Sequence, residues 1–388
     1  MPPQVFIIGA GMIVHDQILP SLYHLQRQGE IGEISVCAQS YATVRRLADA
    51  ELIARAFPGQ SFRMFPAAPA ASPQPELYRE ILAQLPPRQI VVVAIPDQLH
   101  YEVIMEALRH NQHVCAVKPL VLKHSQAVEI AREARTRELL VGVEYHKRFD
   151  DRSLMARRAY REGRFGEFRL GTACLFEKWY YRHSNFQNWM TAENSDAFTY
   201  IGCHYVDLVH FITGLLPVSV SVYGILDRFP NGKEGYLWAD ARVIWSNGAC
   251  LNVQNALGFP DAAPGTNTQG MTLYCQGATD GGLISHSDQY RGLKYSYANP
   301  VSYAEPSPDY FQYVDLGSGG LVPVGYGYRS IEAIVRSAIR VSQEGEAVLD
   351  EIDRAGIIAT PANSSFNARV IEAARESIAN GGREVRCG

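Results

Sequence analysis

The sequence predicts a two-domain α/β plus α+β chain, with a doubly wound parallel sheet at the front and an open, mainly antiparallel sheet behind it. Three observations predict this. Gln4 to Met12 (QVFIIGAGM) is an apolar run that stops at Gly9-Ala10-Gly11 and continues at helical spacing through Ile13, Ile18, Leu19 and Leu22. As far as Asp150, strand-like and helical runs alternate across short loops, the pattern of parallel strands with helical crossovers. Beyond Asp150, strand-like runs separated by Gly, Asn, Asp and Pro follow one another with few helices between. A chain of 388 residues suffices for two domains. The expected boundaries are 1–122, with 123–150 completing the first sheet, and 151–388 for a substrate-binding and oligomerisation domain whose last helices pack back.

The elements follow in order. Val5–Ile8 is the first strand and Asp16–Gln28 the first helix; Glu33–Ala38 is a strand and Tyr41–Ala56 an Arg/Ala-rich helix. The Pro/Ala stretch 66–75 has no periodicity and reads as a loop before a helix near Glu76–Leu85. Gln89–Ile95 is apolar on both faces, as a central parallel strand is. Then come helix His100–His110, strand His113–Val117, helix Ser125–Thr136 and strand Leu139–Glu144. In the second half, helix Ser153–Arg161 precedes strands Phe168–Phe176, Val218–Ile225, Leu237–Trp245, Ala249–Ala256, Met271–Gln276 and Gly281–Ser285. One helix, Asp196–Thr213, interrupts them, with Ser195 as expected N-cap and Gly214 as C-cap. The tail is helical over Arg329–Gln343 and Ser364–Ala379.

Composition narrows the function. The net charge of −4 offers no basic footprint for nucleic acid or an anionic membrane. No run approaches a transmembrane span, and the N-terminus lacks a cleavable-signal pattern. Seven cysteines, none in a C-x-x-C pair, read as reduced thiols of a cytoplasmic protein and not as metal ligands.

Three constellations carry chemistry. Gly9-Ala10-Gly11 at a strand-to-helix turn suits close approach of backbone to a pyrophosphate, with the helix start favouring its charge. The third glycine of the dinucleotide fingerprint would fall at 14, which is Val14. Ala94-Ile95-Pro96 ends the central strand at its carboxyl side, where doubly wound sheets bind ligands. Lys118-Pro119 ends the next strand, and an ammonium there can hydrogen-bond a substrate hydroxyl and assist its deprotonation.

Taken together, these segments resemble the glucose–fructose oxidoreductase, inositol dehydrogenase and MocA-like family (Gfo/Idh/MocA), over nearly the whole chain. Ala94 to His100 is similar to the family's "TP-polar-x-x-H" segment, His113 to Pro119 to its "HVxxEKP", and Val143 to Phe149 to its "xRF" strand end. Gly202 to Asp207 is similar to its "GxHxxD" helix and Cys275 to Leu283 to its "GTxGxL". The resemblance implies an N-terminal Rossmann domain, a nicotinamide cofactor, and hydride transfer at a hydroxyl-bearing carbon of a sugar, glycoside or cyclitol. It implies cofactor contacts from Gly9, Gly11, Met12, Ile13, Gln39, Ser40, Ile95, Pro96, His100 and Lys118. It makes Lys118 the catalytic lysine and His204 the helix histidine that exchanges a proton with the reacting hydroxyl, a task suited to imidazole. The substrate pocket is expected between Lys118, His204 and the inner face of the second sheet. It draws on Tyr145, Lys147 and Arg148 at the last parallel strand end and on the aromatic and basic run holding Lys178, Trp179, Arg182 and His183. Trp189, Arg291 and Lys294 are further candidates. A homo-dimer or homo-tetramer is expected through open sheet faces.

Three departures qualify the resemblance. Tyr200 stands where the family often has Asp four residues before the histidine; four residues apart, Tyr200 and His204 share a helix face. Val117 replaces the family's Glu. The second strand ends in Ala38-Gln39-Ser40 without the acid that accepts ribose hydroxyls, which leaves NAD and NADP both open, Arg45 and Arg46 being the nearest cations. Tyrosine beside histidine also fits a second reading, an NAD-dependent glycoside hydrolase that oxidises a sugar carbon transiently, eliminates the aglycone, adds water and returns the hydride. A nucleotide-sensing regulator is a third reading, opposed by the presence of both Lys118 and His204.

Overall fold

A computed structural model describes residues 2–263, 265, 267–287, 295–298, 301–304, 309–317 and 320–388, without the side chains of 295–298 and 301–304. The chain forms two compact units. The first comprises Met1–Val121, Ser125–Phe149 and Tyr310–Asn363; the second comprises Leu122–His124, Asp150–Asp309 and Ser364–Gly388.

In the first unit, strands β1 (Val5–Ile8), β2 (Ile34–Cys37), β3 (Arg63–Phe65), β4 (Ile90–Val93), β5 (His113–Val117) and β6 (Val141–Glu144) form one sheet in the order β3-β2-β1-β4-β5-β6. All its pairings are parallel. The order reverses between β1 and β4, the switch point at which such sheets bind nucleotides. Helices α1 (Leu19–Arg27), α2 (Tyr41–Ala48), α3 (Glu51–Ala56), α4 (Leu77–Leu82), α5 (His100–Arg109) and α6 (His124–Thr136) connect the strands. Strand β3 was not expected, because three residues carry no readable period.

The helix expected over 41–56 is two helices, with Ala50 extended between them (ψ 105°). An unbroken helix would turn Ile53 roughly 120° from Leu47. The break lets Val44, Leu47, Ile53 and Ala56 all enter the core.

The second unit begins with α7 (Asp151–Arg161). Its sheet contains β7 (Glu167–Lys178), β8 (Pro217–Arg228), β9 (Glu234–Trp245), β10 (Cys250–Phe259), β11 (Asn267–Gln276), β12 (Gly281–Ser287) and the short β17 (Val385–Arg386), in the order β12-β11-β7-β10-β9-β8-β17. Only the β7–β10 pairing is parallel. The strands alternate as half-buried strands do: Leu237, Ala239, Ala241, Val243 and Trp245 of β9 are buried, while Asp240 and Arg242 are exposed. Each large apolar side chain so buried contributes about 1.5–3 kcal/mol. Helices α8 (Phe186–Trp189) and α9 (Cys203–Thr213) lie within this stretch.

Gly214 ends α9 in the left-handed conformation (φ 79°), as expected. The expected N-cap Ser195 is corrected to Asp196, whose carboxyl accepts from Thr199 N (2.8 Å) and Thr199 Oγ1 (2.6 Å). Burial raises the Asp196 carboxyl's pKa above its ordinary value, and those two bonds oppose the shift.

Two hairpins follow, β13 (Tyr295–Ala298) with β14 (Val301–Ala304) and β15 (Gln312–Asp315) with β16 (Leu321–Val324). The tail holds α10 (Tyr326–Glu344), α11 (Glu346–Ala355), α12 (Pro361–Ser364) and α13 (Phe366–Ala379). A single cut at residue 150 would place α10 and α11 in the second unit. They lie instead in the first, because Ile331, Ile334, Val335, Ala338, Val341 and Leu349 join the core of Val5, Ile7, Leu22 and Val92. Among the described residues, no helix is long and apolar enough to cross a membrane.

Candidate functional site

In the first unit, the candidate site is built at the carboxyl edge of the sheet. The amide of Gly9 donates to the carbonyl of Cys37 (2.8 Å) and that of Ala94 to Ile8 (2.9 Å), so the turn after β1 is held between the ends of β2 and β4. Gly9 has φ +115°, and a Cβ there would lie 2.0 Å from the carbonyl oxygen of Ala94; only glycine fits. Gly11 is the opposite case, with no heavy atom within 4 Å of where its Cβ would stand. That open backbone, followed at once by Met12, Ile13 and a helix start, fits the pyrophosphate of a dinucleotide. Val14, fully buried, occupies the third-glycine position, and the helix opens there as a wide π turn, Val14–Ile18.

At the end of β2, Ser40 caps α2 by accepting from Thr43 N (3.4 Å), Gln39 is exposed, and the carbonyl of Gln39 accepts from Gln74 N (2.7 Å). Arg45 is committed to Asp49 (2.7 Å) on an exposed helix face.

At the other strand ends, Ile95, Pro96 and Lys118 are half-buried. His100 is fully buried, and its ring faces only main-chain carbonyls: Nδ1 lies 2.8 Å from Pro119 O and 3.2 Å from Leu120 O, and Nε2 lies 2.9 Å from Ile95 O. Both ring nitrogens of His100, a residue expected to contact the cofactor, thus face the protein's own main chain. Tyr145, Lys147 and Arg148 are also enclosed. The Arg148 guanidinium donates to Gly356 O (3.4 Å) and Asn363 Oδ1 (3.3 Å) and lies over the Tyr145 ring.

A network that sequence reasoning missed surrounds the end of β6. The buried Glu144 carboxyl accepts from Gln17 Nε2 (2.9 Å) and Ser330 Oγ (2.6 Å) and lies 3.1 Å from His146 Nδ1. Gln17 Oε1 in turn accepts from Tyr310 (2.5 Å). Gln17 and Glu144 stand 127 residues apart, and nothing in the local sequence pairs them.

In the second unit, His204 is buried in the first turn of α9, directly after a second π turn, Phe198–Gly202. Tyr200 lies in that turn. Its ring stands edge-on to Phe186 (4.9 Å) and Trp189 (5.6 Å), and Tyr181 stacks on Phe186 (5.3 Å). Burial raises the Tyr181 phenol's pKa well above its ordinary value. An aromatic wall therefore stands one turn ahead of the histidine. Phe186 was not singled out in the sequence; its spacing before Trp189 was the sole hint.

The basic run divides. Lys178 Nζ donates to the carbonyls of Pro260, Asp261 and Ala263 (3.2, 3.2 and 2.9 Å), which ties down a loop. Arg182 is buried against Asp227 (2.6 Å) and Leu257 O (2.6 Å), its guanidinium stacked on Trp179 (4.0 Å). Protein groups thus hold both cations, while His183, Trp179 and Tyr180 remain exposed. Arg291 and Lys294 lie outside the described residues. Among the described residues, no group of three or more His, Cys, Asp or Glu side chains is placed to hold a metal ion.

Comparison with known proteins decides the family. Residues 4–145 match the model of the Gfo/Idh/MocA oxidoreductase family, NAD-binding Rossmann fold, and residues 153–278 match that family's C-terminal domain. The chain belongs to the Gfo/Idh/MocA family. It carries the family's NAD-binding Rossmann domain and a mostly antiparallel second sheet. Over 223 residues it is 25% identical to D-glucoside 3-dehydrogenase of Escherichia coli, covering 56% of each protein. Over 134 residues it is 25% identical to 2,7-anhydro-N-acetylneuraminate hydratase of the same organism, covering 34% of this chain and 36% of that protein. Its curated relatives are matched over 21% to 60% of their lengths. Among solved structures, that of GenD2 from gentamicin A biosynthesis in complex with NAD is similar in fold (TM-score 0.70, 16% identity, covering 99% of this chain and 96% of that one).

Proposed function

We propose that this Gfo/Idh/MocA oxidoreductase is an NAD-dependent dehydrogenase of a hydroxyl-bearing carbon in a sugar, glycoside or cyclitol. The observation that carries the reading is His204 at the start of α9, one turn after Tyr200 and its wall of Phe186 and Trp189. Aromatic faces stack on the apolar faces of pyranose and cyclitol rings, and an imidazole beside them suits the proton of a ring hydroxyl. The likeness to a D-glucoside 3-dehydrogenase supports the same substrate class.

Gly9, Gly11, Met12 and Ile13 would hold the pyrophosphate of NAD, Gln39 and Ser40 would meet the adenosine ribose, and Ile95, Pro96 and Lys118 would border the nicotinamide half. Bound NAD supplies the hydride acceptor. Lys118 donates a hydrogen bond to the oxygen of the reacting hydroxyl. His204 accepts the hydroxyl proton, and the Tyr200 phenol extends the proton path where the family often has a carboxylate.

Tyr200 and His204 also favour a second reading, an NAD-dependent glycoside hydrolase with no net use of cofactor. The partial likeness to a sugar hydratase points the same way. One screen separates the two: free sugars, nitrophenyl glycosides and cyclitols with NAD or NADP, recording reduced nicotinamide and released nitrophenol. Accumulating reduced cofactor supports the dehydrogenase, whereas nitrophenol released without net reduction supports the second reading. Inactivity toward every substrate with tight NADH binding overturns both.

The exposed faces of β7, β11 and β12 place Leu170, Tyr274 and Leu283 side by side. This supports oligomerisation through that sheet, which light scattering on the purified chain measures. The free cysteines support a reducing, cytoplasmic setting.

A further inference from the structure

The His100 ring is buried, with main-chain carbonyls facing both of its nitrogens. A continuous path of short contacts runs through it. The Gly9 turn presses on Ala94, and Ile95, the next residue, offers its carbonyl to His100 Nε2 at 2.9 Å. On its other side the same ring reaches Pro119 O at 2.8 Å and Leu120 O at 3.2 Å, immediately after Lys118. One side chain thus spans the ends of two adjacent parallel strands, β4 and β5, both on the far side of the switch point from β2. In a doubly wound sheet the dinucleotide lies across that point. The half with the adenosine ribose faces the end of β2, and the nicotinamide half faces the ends of β4 and β5.

We infer that His100 is the positioning residue of the nicotinamide half-site: its ring ties the end of β4 to the end of β5 and so fixes where Lys118 leaves its strand. The inference rests on the NAD-dependent reading above. A neutral imidazole donates through one nitrogen only, so the ring holds one strand end by a hydrogen bond and meets the other by packing; without it a buried carbonyl, that of Ile95 or those of Pro119 and Leu120, loses its side-chain donor, and loops relax to satisfy such groups. The displacement falls on Lys118 and on the wall facing nicotinamide. The glycine turn keeps its place through hydrogen bonds that do not involve this ring, Gly9 N to Cys37 O and Ala94 N to Ile8 O.

The test compares two ligands that differ only at that half, NADH and ADP-ribose, on the full chain. For His100→Phe, which keeps a ring of similar size without donors, NADH affinity is expected to fall about ten-fold while ADP-ribose affinity stays within about two-fold. His100→Gln retains one amide donor and is expected to recover part of the loss. It also serves as the folded comparison, judged by thermal melting, should the Phe variant unfold. Equal losses for both ligands would show general loosening and overturn the proposal, as would NADH affinity unchanged in both variants. Wild-type protein that binds neither ligand would instead overturn the cofactor reading itself, a distinguishable result.

Discussion

Among the described residues there are two π turns, Val14–Ile18 in the first unit and Phe198–Gly202 in the second, and each adjoins a candidate functional element. They are held differently. The turn before Val14–Ile18 presses main chain against main chain: the space at Gly9 is closed by the carbonyl of Ala94. The turn before His204 presses main chain against side chains. A Cβ on Gly202 would lie 2.6 Å from Asn255 Oδ1 and 2.7 Å from a ring carbon of Phe198. Asn255 is 1% exposed, and among the described residues neither of its amide atoms has a hydrogen-bond partner. Backbone neighbours cannot be changed by substitution and side-chain neighbours can, so the first turn is intolerant and the second is adjustable.

The largest effect expected from this contrast is at Gly9. Gly9→Ala combines a main-chain overlap with φ +115° and is expected to cost more than about 3 kcal/mol, read as loss of soluble protein or of the cooperative melt. Gly202→Ala is expected to cost about 1–3 kcal/mol. Asn255→Ala in the same chain should return part of it in a double-mutant cycle; strictly additive losses would break the comparison.

A side chain can also be indispensable in the first unit, and His113 sharpens the contrast by pH. Leu140 N donates to its Nδ1 (3.0 Å), so Nε2 carries the proton towards Ser342 Oγ (2.8 Å). Burial, helped by Arg88, pushes this imidazole down to about 3. The unfolded chain takes up that proton first, so the stability His113 contributes is complete above its ordinary value of 6.5 and is lost as pH falls from there towards 3. The slope from this group approaches about 1.4 kcal/mol per pH unit. Denaturant melts across that window check it, with His113→Asn expected to flatten the dependence.

The smallest stability changes are expected where neither kind of neighbour is crowded. Gly11→Ala meets open space and should cost less than about 0.5 kcal/mol, yet weaken NADH binding by about ten-fold by standing where pyrophosphate approaches. Tyr200→Phe keeps the ring against Phe186 and Trp189. A fall in turnover with that variant locates the phenol in proton transfer, and unchanged turnover removes it.

Apart from the short β3 and β17, the strands of both sheets were legible because they read on local periods: apolar runs ending in glycine or proline, and alternation of two along β9. The glycine pair, Lys118 and His204 were legible because each stands at a strand end or helix start that sequence can locate. His100, Lys178 and Arg182 were legible as residues but not in their bonding. A histidine facing three carbonyls and a lysine capping three more look, in sequence, like groups available to a ligand. Glu144 with Gln17, and Phe186 behind Tyr200, join residues whose neighbours lie far along the chain or on irregular turns, and no periodicity announces them.

By itself the sequence determined that the turn after β1 needs glycine at Gly9, which strands could be buried on both faces, and that Lys118 and His204 stand at a strand end and a helix start. These follow from the conformational limits of single residues and from the two- and 3.6-residue repeats. The tertiary structure alone decided that α10 and α11 complete the first unit and which cations are committed to protein carbonyls. It also decided that a buried imidazole joins β4 to β5. Such choices depend on which distant groups share one enclosed volume, where every polar atom requires a partner and every side chain a fit.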